Sequence, residues 1–168
     1  TIYDDWKVTS IDANGNATAR ARDAYGRLAR VEEFNGAATY TTLYQYDPLN
    51  NLVRVTDAQG NISRMFYDTL SRKINMVDPD MGSWTYLYDA VGNLTSQTDA
   101  RGVTTSFIYD ALNRVTQRSY TIPSGSSVAN PGAVIYAYDT SVPAQPYSKG
   151  KLVKITDGSG RSAFEYDN

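Results

Sequence analysis

The sequence predicts an all-β fold, in which antiparallel β-hairpins of about 21 residues per unit stack into a long curved or spiralling sheet, part of a shell, barrel or solenoid. Three observations predict it. The pair Tyr-Asp recurs at 46–47, 67–68, 88–89 and 109–110, a constant step of 21 residues. A second landmark, an Asp followed shortly by Gly, recurs between these pairs. The segments between landmarks are short and rich in Thr, Val, Ile, Tyr and Phe, which favour strands.

The composition excludes several classes of functional site. The 168 residues include no Cys and no His, which excludes disulfides, thiolate nucleophiles, imidazole-bound zinc and Ser-His-Asp triads. The formal net charge of −2 argues against binding a polyanion, so no nucleic-acid partner is expected. No apolar run approaches the roughly 18 residues of a membrane-spanning helix. We therefore predict no enzymatic activity, no cofactor, no metal site and no membrane span.

Residues 3–45 contain irregular copies of the unit. The stretch RDAYGRL begins at Arg22, where Arg replaces the Tyr of the pair. Asn14-Gly15 and Asn35-Gly36 predict tight hairpin turns, because Asn and Gly tolerate left-handed backbone conformations.

Residues 46–120 contain the regular copies. Each Tyr-Asp pair opens a corner with an apolar residue in its middle: YDPLNNL, YDTLSRK, YDAVGNL and YDALNRV. We expect the Asp to close the corner by accepting backbone hydrogen bonds. We expect the Tyr to pack inside on its counterparts one repeat above and below. Arginines recur at the corner, at Arg27, Arg72 and Arg114, where they are placed to pair with the preceding Asp.

The second strand of the regular units carries an aromatic-rich face. Its residues are Ser63, Met65 and Tyr67, then Trp84, Tyr86 and Tyr88, then Thr105, Phe107 and Tyr109. The opposite face carries Phe66, Leu87 and Ile108. We therefore expect the sheet to be covered, at least in part, on both faces.

Two stretches rich in Pro, Gly and Ser interrupt the period and are predicted to be loop insertions, at 122–134 and 140–150. The unit resumes in the same register over residues 150–167. We predict one continuous repeat array over residues 1–168 with no internal domain boundary, as a fragment of a larger chain.

The candidate site residues are structural, and none is predicted to be catalytic. The corner pairs are Tyr46 and Asp47, Tyr67 and Asp68, Tyr88 and Asp89, Tyr109 and Asp110, Tyr138 and Asp139, and Tyr166 and Asp167. The glycines of the second landmark are Gly60, Gly82, Gly102 and Gly160.

The sequence also suits three other interpretations. Exposed aromatic rings, above all Trp84 and Tyr86, would suit contact with a glycan. The stretch Asp78-Pro-Asp-Met-Gly82 faintly resembles a calcium loop, but it lacks a third oxygen ligand and the terminal Glu, which favours a bulged turn. Three Asn-x-Ser/Thr sequons, at Asn16, Asn61 and Asn93, lie beside or within predicted turns and matter only in a eukaryotic secreted protein.

The Tyr-Asp corner followed by Thr-Asp-x-x-Gly at a step of about 21 residues resembles the RHS, or YD, repeat. Weaker copies at 22–36 and 150–167 extend the resemblance to nearly the whole chain. The resemblance implies stacked hairpins that spiral into a hollow shell in large secreted or cell-surface proteins, such as bacterial polymorphic toxins, insecticidal toxin complexes and teneurins. In the toxins such a shell encloses a C-terminal toxic domain. The core end of the family, with its Asp-Pro-rich motif and self-cleaving aspartates, is not in this sequence.

These observations lead to a functional expectation. The chain is expected to be a non-enzymatic wall segment that encapsulates or displays a toxin or other effector domain, partnered by the remaining repeats and the enclosed C-terminal domain of its own chain. The alternatives are a segment of an extracellular filament or adhesin that assembles end to end, and a module that binds surface glycans.

Overall fold

The computed structural model of the chain describes residues 2–4, 6–139 and 147–167, with the backbone alone for residues 2–4. The described residues form fifteen β-strands and no helix, so no helical membrane span occurs among them. The prediction of an all-β fold is confirmed.

The chain divides into two compact units, residues 1–83 and 84–168. The first unit contains β1 (Ile2–Asp4), β2 (Lys7–Ile11), β3 (Ala17–Arg22), β4 (Leu28–Asn35), β5 (Ala38–Tyr46), β6 (Leu52–Thr56), β7 (Ile62–Tyr67) and β8 (Lys73–Asp78). The strand β9 (Gly82–Tyr88) contains the division. The second unit continues with β10 (Leu94–Thr98), β11 (Thr104–Tyr109), β12 (Val115–Thr121), β13 (Val134–Tyr138), β14 (Leu152–Asp157) and β15 (Gly160–Ala163).

Within each unit the strands follow chain order and pair antiparallel with the strands before and after them. Strands of one unit contact only these sequence neighbours. Each unit is therefore a run of hairpins in one layer, as the 21-residue period predicts.

Tight five-residue turns join most of these strands. In the turn at Asp47, the Asp47 N–H donates to the Asn51 carbonyl at 3.0 Å, and the Asn50 N–H donates back to the Asp47 carbonyl at 3.1 Å. The fourth residue has a left-handed backbone, with φ of 67° at Asn50 and 60° at Ser71. The same two backbone bonds occur in the turns that begin at Asp12, Asp23, Asp47, Asp57, Asp68, Asp89, Asp99 and Asp110. Both sequence landmarks, Tyr-Asp and Asp-x-x-Gly, therefore form one kind of turn, which we call the Asp turn.

A β-bulge lies beside the Tyr-Asp corners. Tyr46 is opposite Leu52 but Gln45 is opposite Arg54, so Val53 is an extra residue on β6. The same shift occurs where Arg22, Tyr67, Tyr88, Tyr109 and Tyr138 end their strands. A bulge increases the local twist of a strand, so each 21-residue repeat adds twist at the same place.

The single layer leaves little of the chain buried. Among the described residues the buried hydrophobic ones are Ala19, Val103, Val134 and Val153. The chain exposes 11278 Å², against about 8,200 Å² for a compact monomer of this mass. The expectation of cover on both faces was wrong for the described chain, because Phe66, Leu87 and Ile108 are exposed by 47%, 63% and 53%. No second layer of described residues packs on that face.

The two insertions lie where the 21-residue spacing of the Tyr-Asp pairs is interrupted. The first occupies the connection between β12 and β13, and β13 already begins at Val134. Residues 140–146 of the second insertion are outside the described residues. The Asn35-Gly36 signal marks a two-residue hairpin in which Asn35 pairs with Ala38, whereas Asn14 and Gly15 lie inside an Asp turn.

The left-handed residue of the Asp turn gives a first prediction. Ser71 holds φ of 60° with a side chain that has no special preference for this region, so Ser71→Gly is expected to raise the free energy of unfolding by about 1 kcal/mol. Urea unfolding of the purified chain measures this. Asn113→Gly is the matched control, since Asn tolerates φ of 59° and its replacement gains less. A loss of stability in Ser71→Gly would contradict the interpretation.

Candidate functional site at the repeat corners

The aspartate of each corner is a hydrogen-bond acceptor for its own turn. The Oδ1 atom of Asp47 accepts the N–H of Leu49 at 2.9 Å and the N–H of Asn51 at 2.8 Å. The Asn51 side-chain amide donates to the other carboxylate oxygen, Oδ2, at 2.8 Å. The carboxylate thus binds three N–H groups within five residues, which fixes the backbone of the corner.

The two backbone bonds to Oδ1 recur in all eight Asp turns, and the side-chain bond to Oδ2 from the fifth residue recurs in all of them except the Asp99 turn, where that residue is Val103. In each, Oδ1 accepts the N–H groups two and four residues on. The fifth residue is Asn at 16, 51, 61 and 93 and Arg at 27, 72 and 114, and its side chain donates to Oδ2. The role of Asn at this fifth position is not among the sequence predictions, although Asn recurs four residues after Asp12, Asp47, Asp57 and Asp89. The sequon residues Asn16, Asn61 and Asn93 are among these donors.

These hydrogen bonds stabilise the charged carboxylates. The Asn51 side chain lowers the pKa of Asp47, with the Asn51 and Leu49 N–H groups adding to it and partial desolvation opposing it. The Arg72 N–H is the largest cause that lowers the pKa of Asp68, ahead of its guanidinium. A carboxyl held in its ionised form is a poor general acid, which fits a structural role.

The corner tyrosines bond to the preceding repeat. The Tyr67 hydroxyl donates to the Leu52 carbonyl at 3.0 Å, and Leu52 is the residue opposite Tyr46 across the previous corner. Equivalent bonds run from Tyr46 to Leu28, from Tyr109 to Leu94, from Tyr138 to Val115 and from Tyr166 to Leu152. Each accepting carbonyl belongs to the residue directly before the extra residue of a β-bulge. Tyr88 ends β9 opposite Leu94. Packing of the rings on one another stays a prediction.

The arginines connect one corner to the next. The Arg27 guanidinium donates to Asp23 Oδ2 at 2.7 Å, and in the following corner to the Asp47 carbonyl at 3.2 Å and Asn50 Oδ1 at 2.9 Å. It also lies 4.8 Å from the centre of the Tyr46 ring. In the second unit Arg114 joins Asp110 to Asp139 and lies 4.4 Å from the Tyr138 ring centre. The predicted pairing with the preceding Asp is observed, and the link to the next corner is additional.

The remaining predicted residues lie at variants of the turn. Asp139 accepts the Gly150 N–H at 2.5 Å across the second insertion. Gly60 and Gly102 are the left-handed residues of their Asp turns, Gly82 opens β9 with φ of 72°, and Gly160 pairs with Asp157 at a hairpin. Asp167 lies at the end of the described chain, after β15.

The loop that resembles a calcium site forms a turn. Asp78 Oδ1 accepts the N–H groups of Asp80 and Met81, and Asp78 Oδ2 accepts the Ser63 hydroxyl. Among the described residues no cluster of three acidic, His or Cys side chains is arranged for a metal.

Trp84 and Tyr86 lie apart from the corners, on the half-buried face of β9. Trp84 lines a cavity of about 300 Å³ in the second unit, together with Val103, Tyr120 and the first insertion. Tyr86 is opposite Gln97 on β10. The structure thus brings Trp84 to this cavity, whereas the corner residues Asp47, Tyr67 and Asp68 line another cavity, of about 520 Å³, in the first unit.

The lowered carboxyl pKa values predict acid sensitivity. A carboxyl whose pKa is lower in the folded state than in the unfolded state contributes stability above its unfolded pKa and loses it as pH falls through the folded value. Stability should therefore hold near neutral pH and fall as pH drops below the ordinary Asp value of 3.8. Urea midpoints at pH 7, 4 and 3 measure this. Asp57→Asn should flatten the dependence, whereas Asp80→Asn, outside the Asp turns, should not; equal profiles would contradict the assignment.

The tyrosine bond gives a stability prediction. Tyr109→Phe removes the hydroxyl that donates to the Leu94 carbonyl at 2.8 Å and leaves that carbonyl without this donor. The free energy of unfolding should fall by about 1 kcal/mol. Tyr40→Phe is the control, because no hydrogen bond of the Tyr40 hydroxyl occurs among the described residues. Equal urea midpoints for the two variants would show that the bond adds nothing.

Comparison with protein-family models gives one match. The model of the RHS Repeat matches residues 33–62, 46–80 and 88–127, together just over half of the chain. No curated protein matches the sequence significantly.

Several solved structures contain a region with the fold of this chain. The Tc holotoxin pore of Photorhabdus luminescens superposes with a TM-score of 0.69 at 18% identity, over 99% of this chain and 10% of that chain. A TcdB2-TccC3 structure gives a TM-score of 0.57 at 20% identity, over 89% of this chain and 8% of that chain. The TcdB2-TccC3-Cdc42 structure gives 0.53 at 18% identity, over 88% and 7%. The chain therefore spans about a tenth or less of these neighbours. Because the RHS Repeat model matches just over half of its residues, the chain belongs to the RHS repeat family.

Proposed function

We propose that this chain is a wall segment of a larger secreted or cell-surface protein, and that the wall encloses or displays a toxin or other effector domain of the same protein. The observation that carries the proposal is that both compact units are built in one layer. Over 99% of its length, this chain superposes on a tenth of a chain in the Tc holotoxin pore. The remaining repeats and the enclosed domain are the proposed partners.

The exposed surface supports a larger assembly. The layer exposes roughly a third more area than a compact monomer of its mass. Both sides of the second strand of each repeat carry apolar groups, and Phe66, Leu87 and Ile108 on one side are about half exposed. In a wall, further parts of the protein cover the apolar surface that an isolated layer exposes to water.

One rim of each compact unit supports the same proposal. The third residue of each turn at the Tyr-Asp position, including the Arg22-Asp23 copy, is apolar and exposed: Tyr25, Leu49, Leu70, Val91 and Leu112 are exposed by between 64% and 81%. The third residue of the turns on the other rim is polar, at Asn14, Gln59 and Arg101. The turn places no demand on this side chain, so an apolar residue repeated at one rim suits contact with other parts of the protein.

The corner chemistry favours a steric mechanism. The corner carboxylates accept several hydrogen bonds each and have lowered pKa values, so their oxygens are used for structure. We propose that the segment separates an interior from solvent and performs no reaction of its own.

Protease protection in the full-length protein tests the proposal. Trypsin should cleave the effector domain slowly in the native protein. The double variant Asp47→Ala and Asp89→Ala weakens one corner in each unit, and cleavage should accelerate about tenfold, because weaker corners raise the population of open molecules that the protease cleaves. The control is Asp80→Ala, which removes a charge outside the Asp turns.

Two outcomes would contradict the wall. Equal cleavage rates in all three proteins would show that the repeats do not shield the domain. Electron micrographs with an axial repeat and no closed particle would favour the filament interpretation.

A further inference from the structure

The chain contains two Asn-Gly dipeptides, Asn14-Gly15 and Asn35-Gly36, and no other Asn precedes a Gly. An Asn before Gly is chemically labile, because the backbone nitrogen of the Gly can attack the side-chain amide carbon of the Asn and expel ammonia. Gly favours this reaction over every other residue, since it has no Cβ to obstruct the attack. The two dipeptides have the same intrinsic reactivity, but the structure places them in different kinds of turn.

Asn14-Gly15 lies inside the Asp turn that begins at Asp12. Asp12 Oδ1 accepts the Asn14 N–H and the Asn16 N–H, both at 2.9 Å. The Gly15 N–H donates to the Asp12 carbonyl at 3.1 Å. The nitrogen that would attack the Asn14 side chain is therefore held by a hydrogen bond of the turn, and the backbone around it is fixed by the carboxylate.

Asn35-Gly36 lies at the tip of the β4–β5 hairpin. Asn35 pairs with Ala38, so Gly36 and Ala37 form a two-residue turn. The backbone φ is 59° at Gly36 and is not positive at Ala37, as in a type II′ turn with Gly at its first central position. Neither the Gly36 N–H nor the Asn35 side chain makes a hydrogen bond to a described residue. Both reacting groups thus lack the restraint found at Asn14-Gly15.

The sheet on both sides of the hairpin stops short of this tip. The ladder between β3 and β4 ends at Phe34, and the ladder between β5 and β6 begins only at Leu43. Asn35 and Ala38 therefore have only each other as ladder partners. Residues 35–40 are exposed, and a Cβ added at Gly36 would meet no atom within 4 Å. A terminal pair of this kind opens locally without unfolding the unit, which gives the Asn35 side chain room to reach the Gly36 nitrogen.

We propose that Asn35 is a site of spontaneous deamidation, and that the Asp12 turn protects Asn14 from the same reaction. The Gly36 nitrogen loses its proton to solvent and bonds to Asn35 Cγ, while the Cγ–Nδ2 bond breaks and the side-chain nitrogen leaves as ammonia. Water then opens the resulting cyclic imide. Cleavage of the new Cγ–N bond gives aspartate, and cleavage of the original peptide bond gives isoaspartate. One water is consumed for each ammonia released, and nothing is oxidised or reduced.

The products change the hairpin tip. In isoaspartate the main chain runs through Cγ, which inserts one methylene between the strand and the two-residue turn, so the pair of Asn35 with Ala38 is lost. Both products also add a negative charge on the strand face that carries Glu33, two residues earlier. Phe34 still pairs with Thr39, so the change is confined to the tip. The inference goes beyond the wall function, since the reaction needs only this chain and water.

Peptide mapping of the purified chain during incubation at pH 8 tests the proposal. Trypsin places the two sites in separate peptides, residues 8–20 and residues 31–54. Fragment masses locate the conversion of amide to acid, and an isoaspartate methyltransferase labels the second product. In the native chain residue 35 should convert about fivefold faster than residue 14, the factor that one ordinary hydrogen bond contributes. In concentrated urea both sites should convert at the same rate, because the turns are lost.

Variants of two Asp turns identify the cause of the protection. Asp12→Ala removes the carboxylate that fixes the turn and should accelerate conversion of Asn14 about fivefold while leaving Asn35 unchanged. Asp57→Ala is the matched control, because Asp57 Oδ1 accepts the same two kinds of N–H bond in a turn without Asn-Gly. It should alter neither rate. The comparison of the two sites in the native chain needs no variant, so it holds even where Asp12→Ala does not fold.

Three results would overturn the proposal. The first is no conversion of Asn35 in the native chain over a period in which the urea-unfolded chain converts. The second is conversion of Asn14 in the native chain at a rate equal to or above that of Asn35. The third is equal acceleration of Asn14 by Asp12→Ala and Asp57→Ala, which would assign the protection to overall stability. Because none of these measurements concerns enclosure of a domain, they leave the wall function to its own test.

Discussion

A carboxylate oxygen that accepts two backbone N–H groups fixes the shape of every regular corner in this chain. In a globular domain a packed core would hold the turns in place, but here few described residues are buried. The turn must therefore carry its own constraint. Asp47 Oδ1 supplies it, with N–H donors at 2.9 Å and 2.8 Å, and the charge makes these bonds stronger than bonds to a neutral acceptor.

The corners then couple to one another through two side chains. The Tyr67 hydroxyl bonds to a carbonyl of the previous repeat, beside the bulge that interrupts its ladder. Arg27 holds its own Asp and also reaches the backbone of the next corner. Both contacts join only adjacent repeats, which is the condition for stability to grow as a sum of nearest-neighbour terms. A sheet built in this way extends by adding repeats that make the same contacts.

The corners and strands could be predicted because their causes are local. Turn chemistry at Asp47 and Gly60 and the strand preference of the segments between them depend on residues adjacent in sequence. Three features depend on the register between strands, which the sequence alone does not determine. They are the bulge at Val53, the bond from Tyr67 to the Leu52 carbonyl, and the link from Arg27 to Asp47. The expected cover over Phe66 failed for the same reason, because alternation reveals apolar faces and does not show what packs on them.

A repeat chain also contains its own reference for what the fold requires. When one position has the same role in several copies, a residue that differs reflects a local demand that the other copies lack. Val103 in place of Asn or Arg is explained by the insertion above it, and its burial shows that demand directly. Trp84 and Tyr120 differ at the same place, and they line the cavity that the insertion also lines. Packing alone accounts for the apolar changes. The departures from the repeat therefore gather where an insertion meets the sheet, and the Asp turns elsewhere keep one chemistry.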